Sequence, residues 1–560
     1  MTLSQFLTIT FSSIFLIHSI SADDSLVNTP LGPVQGIAQD GYRLFSGIPY
    51  ATPPVGSLRW KSPLPVQPWG PNPLDATQDP PGCWQDCFSN EPPHICPTVH
   101  SEDCLFLNVW TPRVNGSITT PLPVIMFYHG GNFMDGAIGS LDPNGPLLYD
   151  GRSFVTTYDV IIVTVQYRLG NLGFLYLGGD TTIQGNYGLQ DQIQSMVWVK
   201  EYISYFGGDP NKVTLMGQSA GAMSISAHLS RLETSGLYNQ VIMHSNPFAE
   251  SYRDPSSALD LAHIFANFSG CDNSNLNTIE TCLRALDPET LLHAQIQANT
   301  DVFADIENFL QIVVTWSPTI GTEYLPRRPL EAFQAGAVVD VPIIVGTTAN
   351  ETVIFVYEVL DFPLSQVLYE LACSLLIGYD NFNASLALYP YPSPMPDDLR
   401  VFASYLLTDG LFLCPTRNAS EALLVNQPYR RSPIFHYQYS HLLAASQSLW
   451  RTNFTECWTE VCHGSDLPVI FRPNDPQVAN YTTDEAILSS SMQNYWVNFA
   501  TTGNPNTGPY PQTPSWPTYN ANTRSTLNFE TAGNGGITVL PSVRATYCEW
   551  WDNVVGYNVY

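Results

Sequence analysis

Basic residues are what this 560-residue chain has least of: lysine occurs only as Lys61, Lys200 and Lys212. With arginine there are 21 basic residues against 49 acidic ones, a formal net charge of −28 at pH 7. Phosphate backbones need clustered Lys and Arg, so a nucleic-acid partner is excluded. Charge of either sign is scarce, at 12%, about half the usual share of roughly 25%. The acid excess reads first as colloidal solubility and second as attraction for cationic substrates. No repeat, low-complexity tract or Gly/Ser linker divides the chain, although length alone allows roughly three to four domains. Apolar residues reach 44%, enough for a large core and too many for disorder.

Long apolar runs are missing except near the start. Thr8 to Ile20 form a short apolar stretch followed by the small residues Ser21 and Ala22. This pattern predicts a secretory leader over residues 1–22, although a basic n-region is missing. The other reading, a membrane anchor, asks for a run of about 20 residues with fewer Ser and Thr. The C-terminal segment ending at Tyr560 has no hydrophobic tail for a lipid anchor. N-x-[ST] sequons at Asn115, Asn267, Asn350, Asn383, Asn418, Asn453 and Asn480 fit a secreted glycoprotein. The 11 cysteines are an odd number, so at least one thiol is left over or pairs between chains. Their local clustering suits oxidised loops.

Short apolar runs bounded by turn residues recur at Val124–Tyr128, Val160–Val165, Val213–Met216, Val241–Met243, Val341–Val345 and Ile434–Tyr439. They read as buried strands of a mostly parallel sheet. Helical stretches at Asp191–Tyr205 and Ala220–Leu229 lie between them. The alternation predicts an α/β fold with helices on both faces.

The sharpest chemical signal is Gly217-Gln218-Ser219-Ala220-Gly221, between the run Val213–Met216 and the helix expected from Ala220. A serine in so tight a strand-to-helix turn needs small neighbours. The N–H of Ala220 then points to where an oxyanion would form, and the helix dipole favours that charge.

Phe206-Gly207-Gly208-Asp209-Pro210 through Ser219-Ala220-Gly221 resembles the serine-site signature of the type-B carboxylesterase/lipase (cholinesterase-like) family. Glu102-Asp103-Cys104-Leu105-Phe106-Leu107-Asn108-Val109 resembles its second signature. Further matching blocks run from Gly47-Ile48-Pro49-Tyr50 to Gly503-Asn504-Pro505. The resemblance implies one α/β-hydrolase domain over residues 23–560. It also implies the order Ser, Glu, His, which falls on Ser219, Glu351 and His463. A serine hydroxyl needs such a base, and the base needs a carboxylate to orient it. The oxyanion donors are expected from the loop Gly130-Gly131-Asn132 together with Ala220. Asn132 replaces the family's third glycine. The acid segment, Thr348-Ala349-Asn350-Glu351-Thr352, departs from the family's N-x-D-E-G. Its sequon at Asn350 is expected to stay unmodified, because a triad acid is normally buried. Ser245 and Gln218 are expected to support the site, and Arg59 with Glu102 to form a structural salt bridge.

The same resemblance implies the bridges Cys83–Cys104, Cys271–Cys282 and Cys414–Cys548. Cys87–Cys96 can nest inside the first loop, and Cys457–Cys462 can pin the segment carrying His463. Cys373 remains as the free thiol. The run Cys457 to His463 lacks the C-x₂-C-H spacing of haem attachment, and no metal or organic cofactor is called for. Cholinesterases hold a quaternary ammonium on a tryptophan face. That position is His94 here, and the acid before their serine is Gln218. Both departures argue against choline esters, and the short, Pro-rich first loop favours soluble esters. The expectation is a secreted serine esterase whose partner is a small ester, of unassigned oligomeric state. The alternative is a catalytically silent adhesion, recognition or storage glycoprotein on the same fold.

Overall fold

A computed structural model describes residues 24–86, 96–113, 120–139, 148–303, 314–450, 454–473 and 480–557. The expected leader 1–22, Cys87, His94, Asn115 and Asn453 lie outside them. An eleven-stranded sheet organises the molecule. In chain order its strands are β1 (Ile37–Gln39), β2 (Tyr42–Pro49), β3 (Phe106–Pro112), β4 (Leu122–Tyr128), β5 (Ile161–Val165), β6 (Gly208–Gln218), β7 (Gln240–His244), β8 (Ile343–Thr348), β9 (Ile434–Tyr439), β10 (Thr526–Phe529) and β11 (Thr538–Leu540). The spatial order is β11-β10-β9-β8-β7-β6-β4-β5-β3-β2-β1. The neighbours from β5 through β4 to β10 run parallel, and both edges are antiparallel.

Every residue of β4, β5, β7 and β8 is buried. That follows from covering a parallel sheet on both faces. The pleat then sorts side chains alternately. Val124, Met126, Ile161, Val163, Val213, Leu215, Val241 and Met243 enter one apolar layer, and Ile125, Phe127, Ile162, Met216 and Ile242 enter the other. The first layer is closed by helices α1 (Tyr187–Tyr202) and α2 (Ala220–Leu229). The second is closed in part by the later helix Thr483–Thr502. That helix starts with a capping box: Thr482 Oγ1 accepts from Glu485 N–H, and the Glu485 carboxylate accepts from Thr482 N–H.

Several boundaries differ from expectation: β6 starts at Gly208 rather than Val213 and β4 at Leu122 rather than Val124. α1 begins at Tyr187 rather than Asp191, because Asn186 takes a left-handed backbone (φ 59°) and Tyr187 and Leu189 are buried. β8 begins at Ile343 rather than Val341, because Pro342 has no N–H to give the ladder.

Four bridges form as expected: Cys83–Cys104, Cys271–Cys282, Cys414–Cys548 and Cys457–Cys462. Cys373 is free and buried. Arg59 and Glu102 make a bidentate pair at 2.5 and 2.7 Å, and Arg59 Nη1 donates to Leu286 O at 2.7 Å. Of the described sequons, Asn267, Asn383 and Asn480 are exposed. Asn418 departs from the expected set: its amide donates to Asp552 Oδ1 and its oxygen accepts from Gln334, contacts a glycan would break. Asn350 is buried, and its amide donates to Glu460. Among the described residues no helix is long and apolar enough to cross a membrane.

Candidate active site

The parallel strands end together, and the turn after β6 carries Ser219. Its backbone is strained, with φ 55° and ψ −122°. Ser219 N–H donates to His244 O at 3.0 Å, tying the turn to the end of β7. The two flanking glycines are sterically required. A Cβ on Gly217 would sit 2.6 Å from the Gly221 backbone, and one on Gly221 would overlap the Tyr128 carbonyl. The turn and the end of β4 therefore touch backbone to backbone, and α2 starts directly beneath the serine.

The loop after β4 faces the same point. Gly131, Asn132 and Phe133 are all left-handed, with φ 87°, 52° and 61°. A Cβ on Gly131 would overlap Asp135. Asn132 needs no glycine, because Asn tolerates left-handed backbone better than most residues. Phe133 is fully buried and anchors the loop through its carbonyl, which accepts from Gly170 N–H at 2.7 Å. Among the described residues, the N–H groups of Gly131, Asn132 and Ala220 donate to no protein acceptor. His129 stacks on Tyr167 at 4.6 Å behind the loop, and burial pushes its pKa down to about 4.

His463 and Glu351 arrive on separate loops and meet. His463 Nδ1 lies 2.7 Å from Glu351 Oε2, and Glu351 Oε1 accepts from Thr348 N–H at 2.6 Å. Glu351 is fully buried, and the His463 side chain is 10% exposed. The imidazole sits between the rings of Phe355 and Phe412. The Cys457–Cys462 bridge closes the chain immediately before it. Because Nδ1 faces a carboxylate, it carries the proton, so Nε2 accepts. Its donor is the side-chain amide of Gln218, at 2.9 Å. Ser219 makes no hydrogen bond to His463 among the described residues.

Ser245 corrects an expectation. It adopts a left-handed backbone (φ 51°), and its buried hydroxyl has no hydrogen-bond partner among the described residues. It therefore gives the Glu351–His463 pair no hydrogen bond. Support comes instead from a buried network that the sequence reading missed. His244 Nδ1 lies 3.0 Å from Asp466 Oδ2 and 2.7 Å from the Tyr437 hydroxyl, which donates to the same carboxylate. Trp496 Nε1 donates to His244 Nε2 at 3.2 Å. Asp466 follows His463 by three positions, so this network holds the histidine's loop against the ends of β7 and β9. His244 precedes the expected Ser245 and Asp466 follows His463 by three positions, and that closeness in the chain was the available signal.

Two pockets open on either side of Ser219, with Ser219, Asn132 and Phe355 lining both. The larger, of about 860 Å³ of empty space, includes His463, Gly464, Tyr149 and Trp450. The smaller, of about 540 Å³, is lined by Met223, Val356, Leu411, Phe412 and Glu250, among others. A serine lining two pockets, a carboxylate-oriented imidazole and a set of unengaged N–H groups, all at one junction, are the parts acyl transfer requires.

Residues 23–551 match the model of the carboxylesterase family. The chain is 36% identical over 489 residues to the cAMP-regulated D2 protein of Dictyostelium discoideum, covering 87% of this chain and 86% of that protein. It is 31% identical over 581 residues to an acetylcholinesterase of Leptinotarsa decemlineata, covering 95% and 86%. A solved structure titled PNB esterase superposes with a TM-score of 0.74 at 30% identity, covering 94% of this chain and 99% of that one. The chain belongs to the carboxylesterase family and has its α/β-hydrolase fold.

Proposed function

We propose that the protein is a secreted serine carboxylesterase that cleaves small soluble esters through an acyl-enzyme. The observation that carries this is the 2.7 Å contact of His463 Nδ1 with buried Glu351 beside the strained serine. Ser219 is the nucleophile, His463 the base and Glu351 its orienting carboxylate. For attack, the Gln218 amide yields Nε2 to the Ser219 hydroxyl. Oxygen attacks the ester carbonyl as its proton passes to Nε2, and Glu351 stabilises the resulting imidazolium. The tetrahedral oxyanion is held by N–H groups of Gly131, Asn132 and Ala220. His463 then protonates the leaving alkoxide, and water repeats the sequence on the acyl-enzyme.

The alcohol half must lie within reach of His463, so it occupies the larger pocket, which His463 lines. The acyl chain takes the smaller one. No cofactor enters this sequence. The disulfides and the leader-like N-terminus support a secreted location.

A second reading, a silent recognition or storage protein, is favoured by one observation: Gln218 rather than Ser219 holds the base nitrogen. Hydrolysis of p-nitrophenyl esters from acetate to palmitate by the purified protein, with Ser219→Ala alongside, decides between them. A serine-dependent rate supports the esterase. No rate in a folded protein supports the silent reading.

A further inference from the structure

The smaller pocket has one feature that its apolar lining does not explain. Glu250 lines it, in the chain that leaves β7 past Pro247. The residue is only 5% exposed. One carboxyl oxygen, Oε1, accepts from the neighbouring Ser251 N–H at 3.1 Å. The other, Oε2, takes no hydrogen bond among the described residues. Among the described residues no cation balances the group: burial raises its pKa to about 8, opposed only by the Ser251 N–H. That oxygen faces the pocket rather than closed protein; holding a carboxyl among apolar side chains is costly, and leucine or methionine would fill the space without that cost. The carboxyl thus sits in a largely apolar slot that Ser219 also lines and His463 does not.

Building on the esterase reading above, we propose that Glu250 is a specificity residue that selects esters whose acyl chain carries a hydrogen-bond donor. The donor, a hydroxyl or an amino group, completes the unsatisfied oxygen. A site that hydrogen-bonds a substrate group discriminates against an analogue lacking it, because the protein group is then stranded. A hydroxyl donates directly to Oε2. An amine takes the carboxyl proton and leaves a buried ion pair.

The test compares methyl butyrate with methyl 2-hydroxybutyrate, methyl 3-hydroxybutyrate and methyl 3-aminobutyrate, with hydrolysis followed by pH-stat. Wild type should favour at least one donor-bearing ester by on the order of tenfold or more in kcat/KM. Glu250→Leu should erase or invert that ratio and speed the plain ester. Glu250→Gln, whose amide oxygen still accepts, should keep a hydroxyl preference and lose an amino preference. A ratio near one in wild type, or a preference that survives Glu250→Leu, overturns the proposal. Failure of the esterase reading is separable. Ser219→Ala and its Glu250→Leu double variant are titrated with the same esters by saturation-transfer NMR, which needs no turnover. Donor-bearing esters binding preferentially to the first and not to the second support the site, and equal binding by both overturns it.

Discussion

The two halves of the site are held by different physics. The serine half is backbone packed on backbone. Gly217 and Gly221 let the elbow touch the end of β4, and three consecutive left-handed residues shape the loop opposite. The base half is side chain on side chain. Glu351 is fixed by Thr348 N–H, His463 by Glu351, and the histidine's loop by a short disulfide and the His244–Asp466–Tyr437 network. Backbone contacts dictate residue type and leave a motif. Side-chain contacts leave alternatives, and the acid segment of this half departs from the family pattern, with Asn350 and Thr352 flanking Glu351. Both are absorbed locally: Thr352 Oγ1 donates to Ser404 O, and Asn350 Oδ1 accepts from Thr408.

The largest expected effect breaks the base half chemically. Glu351→Gln keeps the volume but replaces the oxygen that fixes the imidazole tautomer. Turnover should fall by on the order of 10⁴-fold with the fold intact, measured as kcat on p-nitrophenyl butyrate beside a near-UV circular dichroism spectrum. Next, Gly221→Ala breaks the serine half sterically. The new methyl overlaps the Tyr128 carbonyl, so the elbow must shift away from its donors. A loss of about 10²–10³-fold is expected, and wild-type kinetics would show that the close approach is dispensable.

Glu250 offers a pH test of the pocket between these halves. Its folded pKa, about 8, stands above the ordinary carboxyl value. The unfolded chain therefore releases this proton first, and wild type loses stability as pH rises from about 4.5 to about 8. Glu250→Gln removes that slope. Urea denaturation of both proteins across this range should show the variant gaining on wild type with rising pH. Parallel curves would mean that the carboxyl is solvated or paired.

Smaller effects sharpen the comparison. Cys457→Ser with Cys462→Ser opens a loop of sequence separation 5. The expected cost is about 2 kcal/mol, read in thermal inactivation of esterase activity. Gly464→Ala is the counterpart of Gly221→Ala. Its backbone is left-handed (φ 78°), but the nearest atom to a new Cβ is 3.7 Å away. Only conformational strain of about 1–2 kcal/mol is expected, with activity largely kept. Equal damage from the two glycine changes would erase the distinction between the halves.

The same distinction explains what could be read from the sequence. The strands of the parallel core were legible because burial on both faces forces continuous apolar runs. The edge strands β1 and β11, and β10 beside the latter, were not, being short and partly polar or exposed. The serine turn was legible because sterics leave its glycines little substitute, and the oxyanion loop was found through the family resemblance. Glu351 and His463 were found through chain order in a family pattern, and geometry brings them together. The hydrogen bond of Gln218 to His463, the unpartnered Ser245 hydroxyl and the carboxyl of Glu250 were not readable. Each depends on a rotamer or on long-range packing that local sequence does not encode.

The most direct test of the account is intact-mass analysis after incubation with a fluorophosphonate, followed by peptide mapping. A serine activated by His463 should take up one phosphonyl group, on the peptide containing Ser219, with ester hydrolysis lost in proportion and no uptake in Ser219→Ala. A folded protein that stays unlabelled, or is labelled elsewhere, would contradict the assignment of Ser219, Glu351 and His463 as a working triad.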